Sequence, residues 1–312
     1  MQYDIIGDVH GQFDKLEALL KQLGYQQTNH VYRHPGRQAI FVGDIVDRGP
    51  KQLECLQLVR AMVEAGAAHM AMGNHEFNAL SWATPDPYKP GDFLRTRLGD
   101  KGEHNYQQHI EFLKAMHGKD ALYQSAVDWF KTLPLWLDLG CIRVVHACWS
   151  SFYMKQIELQ LTTAHQVTDQ FLIAAGQKGT LEYEAAEIIL KGPEVSLPPG
   201  FSFQDKDGYT RDKIRIKWWD QAAKTYKQLA LPAAGDEYDL PDMEVHVPAG
   251  VIIDDVSVPI FFGHYWMTGK PGLQAPNMAC LDYSAAKDGP LVAYRWQGEA
   301  QLCNDNFVYL QP

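Results

Sequence analysis

Ala39-Ile40-Phe41-Val42-Gly43-Asp44-Ile45-Val46-Asp47-Arg48-Gly49 passes from an apolar block straight into a charged turn. Four apolar residues stopped by Gly43 predict a short buried strand. Asp44, Asp47 and Arg48 then stand together just past its carboxyl end, before the Gly49-Pro50 turn. In open α/β sheets that edge is where ligands collect. Taken alone, the stretch reads as a capped turn, with Asp44 holding backbone donors. Asp47 and Arg48 would then be a surface pair worth at most about 1 kcal/mol. It does not stand alone, because the same pattern occurs on either side of it.

Upstream, Tyr3–Ile6 is a second apolar block, ending in Gly7-Asp8-Val9-His10-Gly11. Phe13, Leu16, Leu19, Leu20 and Leu23 follow at helical spacing up to Gly24. Downstream, Leu53, Leu56, Val59, Met62 and Val63 predict another helix, closed by Gly66. Residues 67–71 predict a third strand, which runs into Gly73-Asn74-His75-Glu76. Strand, polar turn and helix in repetition are the pattern of βαβ units around a largely parallel sheet. Residues 77–134 are polar, helix-like and broken by prolines. Strand character returns over 135–139 and 142–145, ending in His146-Ala147-Cys148. A mixed segment follows. Its helical part runs from Ser151 to about Leu190, and a basic, tryptophan-containing stretch covers 213–229. Residues 259–262 predict a strand that ends in Gly263-His264, and 278–282, 291–296 and 307–310 predict the closing strands of a second sheet.

Composition narrows the function. The 312 residues are 46% hydrophobic, enough for one large domain or one with a sizeable insertion. A formal net charge of −10 argues against general nucleic-acid or membrane binding. The five cysteines are scattered and never spaced as Cys-x-x-Cys, so a disulfide framework is not expected and a reducing cytoplasm fits. No apolar run approaches the roughly 20 residues of a membrane-spanning helix.

The predicted strand ends together present Asp8, His10, Asp44, Asn74, His146 and His264. Oxygen and imidazole donors without thiolates suit manganese, iron, zinc or cobalt better than a structural zinc site. Asp8 and His10, two apart, point the same way in an extended turn. These motifs resemble the calcineurin-like metallophosphoesterases. The full Asp44-x-x-Asp47-Arg48-Gly49 and Asn74-His75-Glu76 forms are similar to the branch holding serine/threonine protein phosphatases and diadenosine tetraphosphatases. The resemblance is tight over residues 3–78 and reduced to single motifs beyond.

It implies a four-layer αββα sandwich of two mixed sheets, formed as one domain over 1–312 with residues 151–250 inserted as a cap or lid. It also implies two divalent or trivalent metal ions per chain, manganese first. Asp8, His10 and Asp44 would hold one ion, while Asp44, Asn74, His146 and His264 hold the other. Two dications about 3.5–4 Å apart need a bridging carboxylate and together generate hydroxide near neutral pH. Arg48 would grip the phosphate oxygens, and His75, oriented by Asp47, would protonate the leaving oxygen.

Three departures from the pattern stand out. His264-Tyr265-Trp266 keeps only the first histidine of a His-x-His. His146-Ala147-Cys148 replaces His-Gly-Gly, and Cys148 reads as a buried, inert thiol. The branch's second phosphate-gripping arginine is missing from its motif, which leaves Arg211 and Arg215, of which Arg215 is the choice. Asp282 is either a partner for a ligating histidine or a strand-end cap. Glu76 braces its turn, Trp218-Trp219 reads as a core pair within a helix, and the remaining histidines, His109 among them, are surface or core. The expected activity is phosphomonoester hydrolysis on a small phosphorylated substrate or a phosphopeptide. Hydrolysis of a dinucleoside polyphosphate is the enzymatic alternative, and a non-catalytic metal-binding scaffold the remaining one.

Overall fold

The computed structural model describes residues 2–204, 210–231, 240–247, 249–251 and 257–310. Nine strands build two mixed sheets. The first contains β1 (Gln2–Ile6), β2 (Arg37–Phe41) and β3 (Ala68–Met70). The second contains β4 (Trp136–Asp138), β5 (Arg143–Val145), β6 (Ile260–Phe262) and β7 (Met278–Cys280). The chain then returns to the first sheet with β8 (Val292–Trp296) and β9 (Phe307–Tyr309), giving the orders β9-β8-β1-β2-β3 and β7-β6-β5-β4. Strands β1, β2 and β3 are mutually parallel, as are β5, β6 and β7; β4, β8 and β9 pair antiparallel.

Side-chain alternation sets the layers. Tyr3, Ile5, Ile40 and Val42 of one sheet meet Val144, Phe261, Ala279 and Leu281 of the other in a closed core between the sheets. The opposite faces carry Ile6, Ala39 and Phe41 on one side and Val145, Ile260 and Phe262 on the other, and these are covered by helices. Helices α1 (Phe13–Gln22) and α2 (Gln52–Glu64) supply Leu16, Leu19, Leu20, Leu56, Val59 and Met62 to that outer packing. Three further helices, α3 (Asn74–Ala83), α4 (Gly99–Met116) and α5 (Asp120–Lys131), fill the region between the sheets' sequence blocks. The layers are therefore α, β, β, α, as the resemblance implies.

Two expectations are corrected. The strands at 292–296 and 307–309 belong to the first sheet, not the second, with Tyr3 opposite Trp296. Their alternation fits either sheet, and only the free edge of β1 selects the partner. The tryptophans at 218 and 219 are core, packed on Phe262 with ring centroids 4.8 and 5.2 Å away, but they sit in a turn rather than a helix. The preceding residues form a strand, Lys213–Arg215, paired with Glu194–Ser196. The helical stretch after Ser151 breaks into α6 (Ser151–Ile157), α7 (Asp169–Ala175) and α8 (Leu181–Lys191). Each opens on a hydroxyl cap, Ser150, Thr168 or Thr180, which accepts a main-chain N–H from the first turn. No described helix is long and apolar enough to cross a membrane.

Candidate metal centre and active site

The parallel strands of both sheets end on one edge, and the turns that follow are bonded to one another. Asp44 O accepts N–H from Val9 and His10, His10 O accepts from Gly49, and His146 O accepts from Gly263. The turns are tightly wound rather than extended. His10, Asp44, Asp47, Arg48, His264 and Trp266 all have positive φ, between 46° and 74°. A left-handed residue other than glycine costs of order 1–3 kcal/mol, so this strain is concentrated at one place in the fold. Two glycines permit the close approach. A Cβ on Gly263 would lie 1.9 Å from Asp8 Oδ1, and one on Gly43 (φ 115°) would lie 2.6 Å from the Gly73 backbone.

Asp44 is the centre of the cluster. Its Oδ2 lies 3.2 Å from His146 Nε2, 3.6 Å from His10 Nε2 and 3.9 Å from His75 Nε2. Its Oδ1 accepts the His75 main-chain N–H at 2.9 Å. Potential ligand atoms of His10, Asp44 and His75 lie within 4.8 Å of one another, and so do those of Asp44, His146 and His264. Asn74 Oδ1 joins the second group, 3.0 Å from His146 Nε2 and 2.8 Å from His264 Nδ1. Asp8 falls outside both groupings; its Oδ2 accepts the His264 N–H at 3.0 Å.

Main-chain carbonyls set the imidazoles. His10 Nδ1 donates to Val46 O at 2.9 Å and His146 Nδ1 to Val42 O at 3.0 Å. A carbonyl can only accept, so each ring carries its proton on Nδ1 and turns Nε2 into the cluster, as metal-ligating histidines do. The electrostatics are those of a site short of positive charge. Burial, with Asp282 nearby, pushes the Asp8 carboxyl well above the ordinary range. Burial opposes the charge of Asp44 too, yet His146 and His75 hold it well below that range. His146 resists burial through Asp44 and is raised to about 10, whereas burial beside His75 lowers His10 to about 3.

The donor set fits bound metal. Asp8 Oδ1, His10 Nε2 and His264 Nε2 are buried without hydrogen-bond partners, an arrangement that is costly unless a cation completes it. All six strand-end residues of the sequence pattern come to this edge.

Around them, Asp47 Oδ2 bonds His75 Nδ1 at 2.5 Å, leaving His75 Nε2 facing Asp44 and, at 3.5 Å, Arg48 Nη2. The Arg48 guanidinium lies 4.2 Å over the ring of Trp266, the residue standing where a second histidine was absent. Glu76 accepts N–H from Asp44, Ile45 and Gly73 at 2.9–3.0 Å and so braces the turn, as expected. Asp282 accepts from Trp266 and Ser284 N–H at 2.8 and 2.9 Å, which makes it a cap for the turns. Cys148 is fully buried and its thiol is pushed well above the usual range by that burial, consistent with an inert side chain.

Arg215 is half-buried on its short strand, with its guanidinium 5.9 Å from the ring of Tyr265, the neighbour of His264. Arg211 is exposed on a separate two-residue strand. Trp266 and His109 are marked as site residues by no motif of the sequence, and the latter bonds Asp47 Oδ1 through Nδ1 at 2.7 Å. The available signal was periodicity, since Asn105, His109, Phe112 and Met116 form the buried stripe of α4.

The fold and this edge define a metallophosphoesterase, and comparison with known proteins agrees. The sequence pattern of the calcineurin-like phosphoesterases matches residues 1–197, and the chain belongs to that family of metal-dependent hydrolases. Among curated proteins it is similar to the bis(5'-nucleosyl)-tetraphosphatase PrpE [asymmetrical] of Halalkalibacterium halodurans, 51% identical over 129 residues, which cover 40% of this chain and 52% of that protein. The Bacillus subtilis protein of the same name is 33% identical over 150 residues, covering 47% of this chain and 57% of the relative. The chain thus spans about half the length of the curated relatives it matches. Among solved structures, a mutant cold-active protein tyrosine phosphatase shares the fold with a TM-score of 0.50 at 16% identity, over 99% of this chain and 80% of that one.

Proposed function

We propose that this chain is a dimetal hydrolase of dinucleoside polyphosphates, cleaving a phosphoanhydride bond with water. The observation that carries this reading is the 51% identity over 129 residues to a bis(5'-nucleosyl)-tetraphosphatase. It reverses the order expected from the motifs alone, which put phosphomonoesters first. A scaffold without turnover is disfavoured by the His75–Asp47 contact at 2.5 Å beside Arg48, since a binding module has no use for a positioned proton donor.

In this reading Asp8, His10 and Asp44 hold one ion, and Asp44, Asn74, His146 and His264 hold the other, manganese being the first candidate. The bound ions supply Lewis acidity and lower the pKa of water, so that the nucleophile exists near neutral pH. The chain's own residues do the rest. Arg48, its guanidinium 4.2 Å over the ring of Trp266, presents forked donors to the phosphate oxygens on which negative charge spreads during transfer. Arg215, with its guanidinium 5.9 Å from the ring of Tyr265, adds a second cation. His75, with Nδ1 donating to Asp47, delivers a proton from Nε2 to the departing oxygen as the P–O bond breaks.

Turnover of a dinucleoside tetraphosphate, p-nitrophenyl phosphate, phenyl phosphate, a phosphopeptide and a phosphodiester, with manganese added, tests the substrate assignment. Preference for the tetraphosphate by kcat/KM is expected, and a preference for the phosphopeptide overturns it. His75→Ala should lower kcat on phenyl phosphate by about 10²–10⁴. The loss should be smaller on p-nitrophenyl phosphate, whose leaving group needs little protonation. Equal losses on the two esters would remove the acid role.

A further inference from the structure

Asp47 has two carboxylate oxygens, and each is taken by a different imidazole. Oδ2 accepts from His75 Nδ1 at 2.5 Å and Oδ1 from His109 Nδ1 at 2.7 Å. Because an ionised carboxylate only accepts, both rings donate through Nδ1. Asp47 is 1% exposed and His109 3%, so water does not stand in for either bond. The Asp47 main-chain N–H is separately held by Gln52 Oε1 at 2.7 Å.

The two histidines come from different helices. His75 opens α3, whereas His109 lies in the second half of α4, within the polar, proline-broken region that carries no motif. The His109 ring rests against Phe112 of its own helix, with centroids 5.1 Å apart, and near Trp82 of α3, at 6.2 Å. Next to it, Gln108 Oε1 and Asn78 Oδ1 both accept from the Arg95 guanidinium, at 2.5 and 2.7 Å, which ties α4 to α3.

We infer that His109 is a positioning residue for catalysis, fixing the Asp47 carboxylate so that its other oxygen keeps the His75 ring aimed at the leaving oxygen. The inference rests on the proposed role of His75 and deepens it. The terminal torsion of an aspartate is soft and roughly two-fold, so a carboxylate held at one oxygen only can turn and carry its partner with it. With both oxygens held in a buried site, the His75 ring has one orientation and Nε2 one direction. His109 touches no reacting atom; it acts through Asp47.

Two substitutions separate this role from simple packing. His109→Asn keeps a side-chain N–H near the place of Nδ1 and loses the ring. His109→Phe keeps the ring's contacts with Phe112 and Trp82 and loses the donor. Positioning predicts that kcat on phenyl phosphate falls about ten- to a hundredfold in His109→Phe, the worth of a charge-assisted hydrogen bond. It predicts that His109→Asn keeps most of the activity, with KM and metal content unchanged in both. In a His75→Ala background, His109→Phe should cost nothing further, because the group it orients is gone. The reverse ranking, with Phe active and Asn impaired, overturns the inference in favour of a packing role. Undiminished loss in the His75→Ala background overturns it as well. If His75→Ala itself costs the same on phenyl and p-nitrophenyl phosphate, the acid role of His75 falls and takes this inference with it. Either of the first two results with a leaving-group-dependent His75 sinks the positioning role alone.

Discussion

Asp4 and Asp8 sit on the same first strand and its following turn, both fully buried, and they are treated in opposite ways. At Asp4 the chain brings its own cations. Arg37 Nε donates to one oxygen at 2.9 Å and Arg295 Nε to the other at 3.1 Å. The remaining Arg37 donors go to Gln2 Oε1 and to the carbonyls of Tyr3 and Trp296. At Asp8 the hydrogen-bond partner among the described residues is one main-chain N–H, from His264, and Oδ1 is left bare in a pocket shared with Asp44, Asp282 and His146. A buried carboxylate needs compensation from somewhere. One end of the strand contains it, which makes a structural clamp between strands. The other omits it, which makes a receptor for cations.

Asp44→Asn removes the carboxylate that both ligand groups share. Metal analysis of the manganese-loaded wild-type protein should give two ions per chain, and the variant should lose at least one of them. Because metal stabilisation of the transferring phosphoryl group is worth several kcal/mol, kcat should fall about 10³-fold or more. A single saturable site in the wild-type protein would end the two-ion reading.

Arg37→Met strikes the other end. It strands Asp4 in the interior with only Arg295, and breaking a buried pair in this way costs about 3–5 kcal/mol. Denaturant unfolding should show that loss while kcat at a permissive temperature stays near wild type. Asp8→Asn should do the opposite, leaving the metal-free protein as stable as before or more so while manganese affinity drops. If Asp8→Asn destabilises the metal-free protein as much as Arg37→Met does, the two carboxylates are not different in kind and the comparison fails.

The strand-end ligands were legible because each follows a short apolar block within a few residues: Asp8 after β1, Asp44 after β2, Asn74 after β3. The partners of Asp4 were not, since Arg37 and Arg295 reach it from 33 and 291 residues away and neither belongs to a local pattern. The same holds for His109, whose only sequence trace is a place on the buried stripe of α4, indistinguishable there from a core histidine. Positive φ at His10 and Asp44 was hidden too, because the local sequence suits an extended turn and the tight winding is imposed by neighbouring turns. Sheet membership of β8 needed the free edge of β1, a tertiary fact. What the sequence left unread in each case was long-range contact.

A smaller effect follows from protons. In the metal-free protein burial raises Asp8 above the ordinary carboxylate range, and Asp44, against burial, raises His146 to about 10, so His146 carries a proton near neutral pH that a metal must displace. A carboxyl raised in the folded state contributes stability that is present below its unfolded pKa of about 3.9 and is lost as pH rises. His146 likewise contributes stability that is present below about 6.5 and lost on the way to about 10. Glu76, raised to about 7 by burial beside Asp44, acts in the same direction but at lower pH, its contribution being lost between about 4.3 and about 7, so the slope above pH 7 belongs to His146. His10, lowered to about 3, is neutral with or without metal above about pH 6.5 and drops out. The metal-free protein should therefore lose stability between pH 7 and 9 while the loaded form does not. The gap between them should widen by up to about 1.4 kcal/mol per pH unit for each proton displaced. Melting temperatures with manganese and with a chelator would check this; a gap that is constant with pH would mean that no proton is exchanged for metal.

The last point is Arg215, where the difference between a clamp and a receptor is hardest to see from geometry. Its guanidinium stands 5.9 Å from the Tyr265 ring, and its Nε is buried with no hydrogen-bond partner. Burial first, and the Arg215 charge second, hold His264 well below the usual imidazole range. A clamp arginine such as Arg37 has its donors spent on carboxylate and carbonyls; an Nε left unspent beside the metal edge suits one awaiting an anion. Phosphoryl transfer spreads charge over three oxygens, and Arg48 with two ions leaves room for one more cation. Arg215→Ala should then lower kcat/KM by about tenfold, roughly the worth of one hydrogen bond to a charged group, with metal content and unfolding midpoint unchanged. Arg215→Lys, a point charge without the fork, should recover only part of it. If Arg215 instead serves packing, with its stem over apolar neighbours, the alanine variant will lose stability and keep its activity. If Arg211→Ala loses the activity while Arg215→Ala keeps it, the phosphate contact belongs to Arg211. Should both variants turn over substrate at the wild-type rate, Arg48 and the metals hold the phosphate without help from this strand.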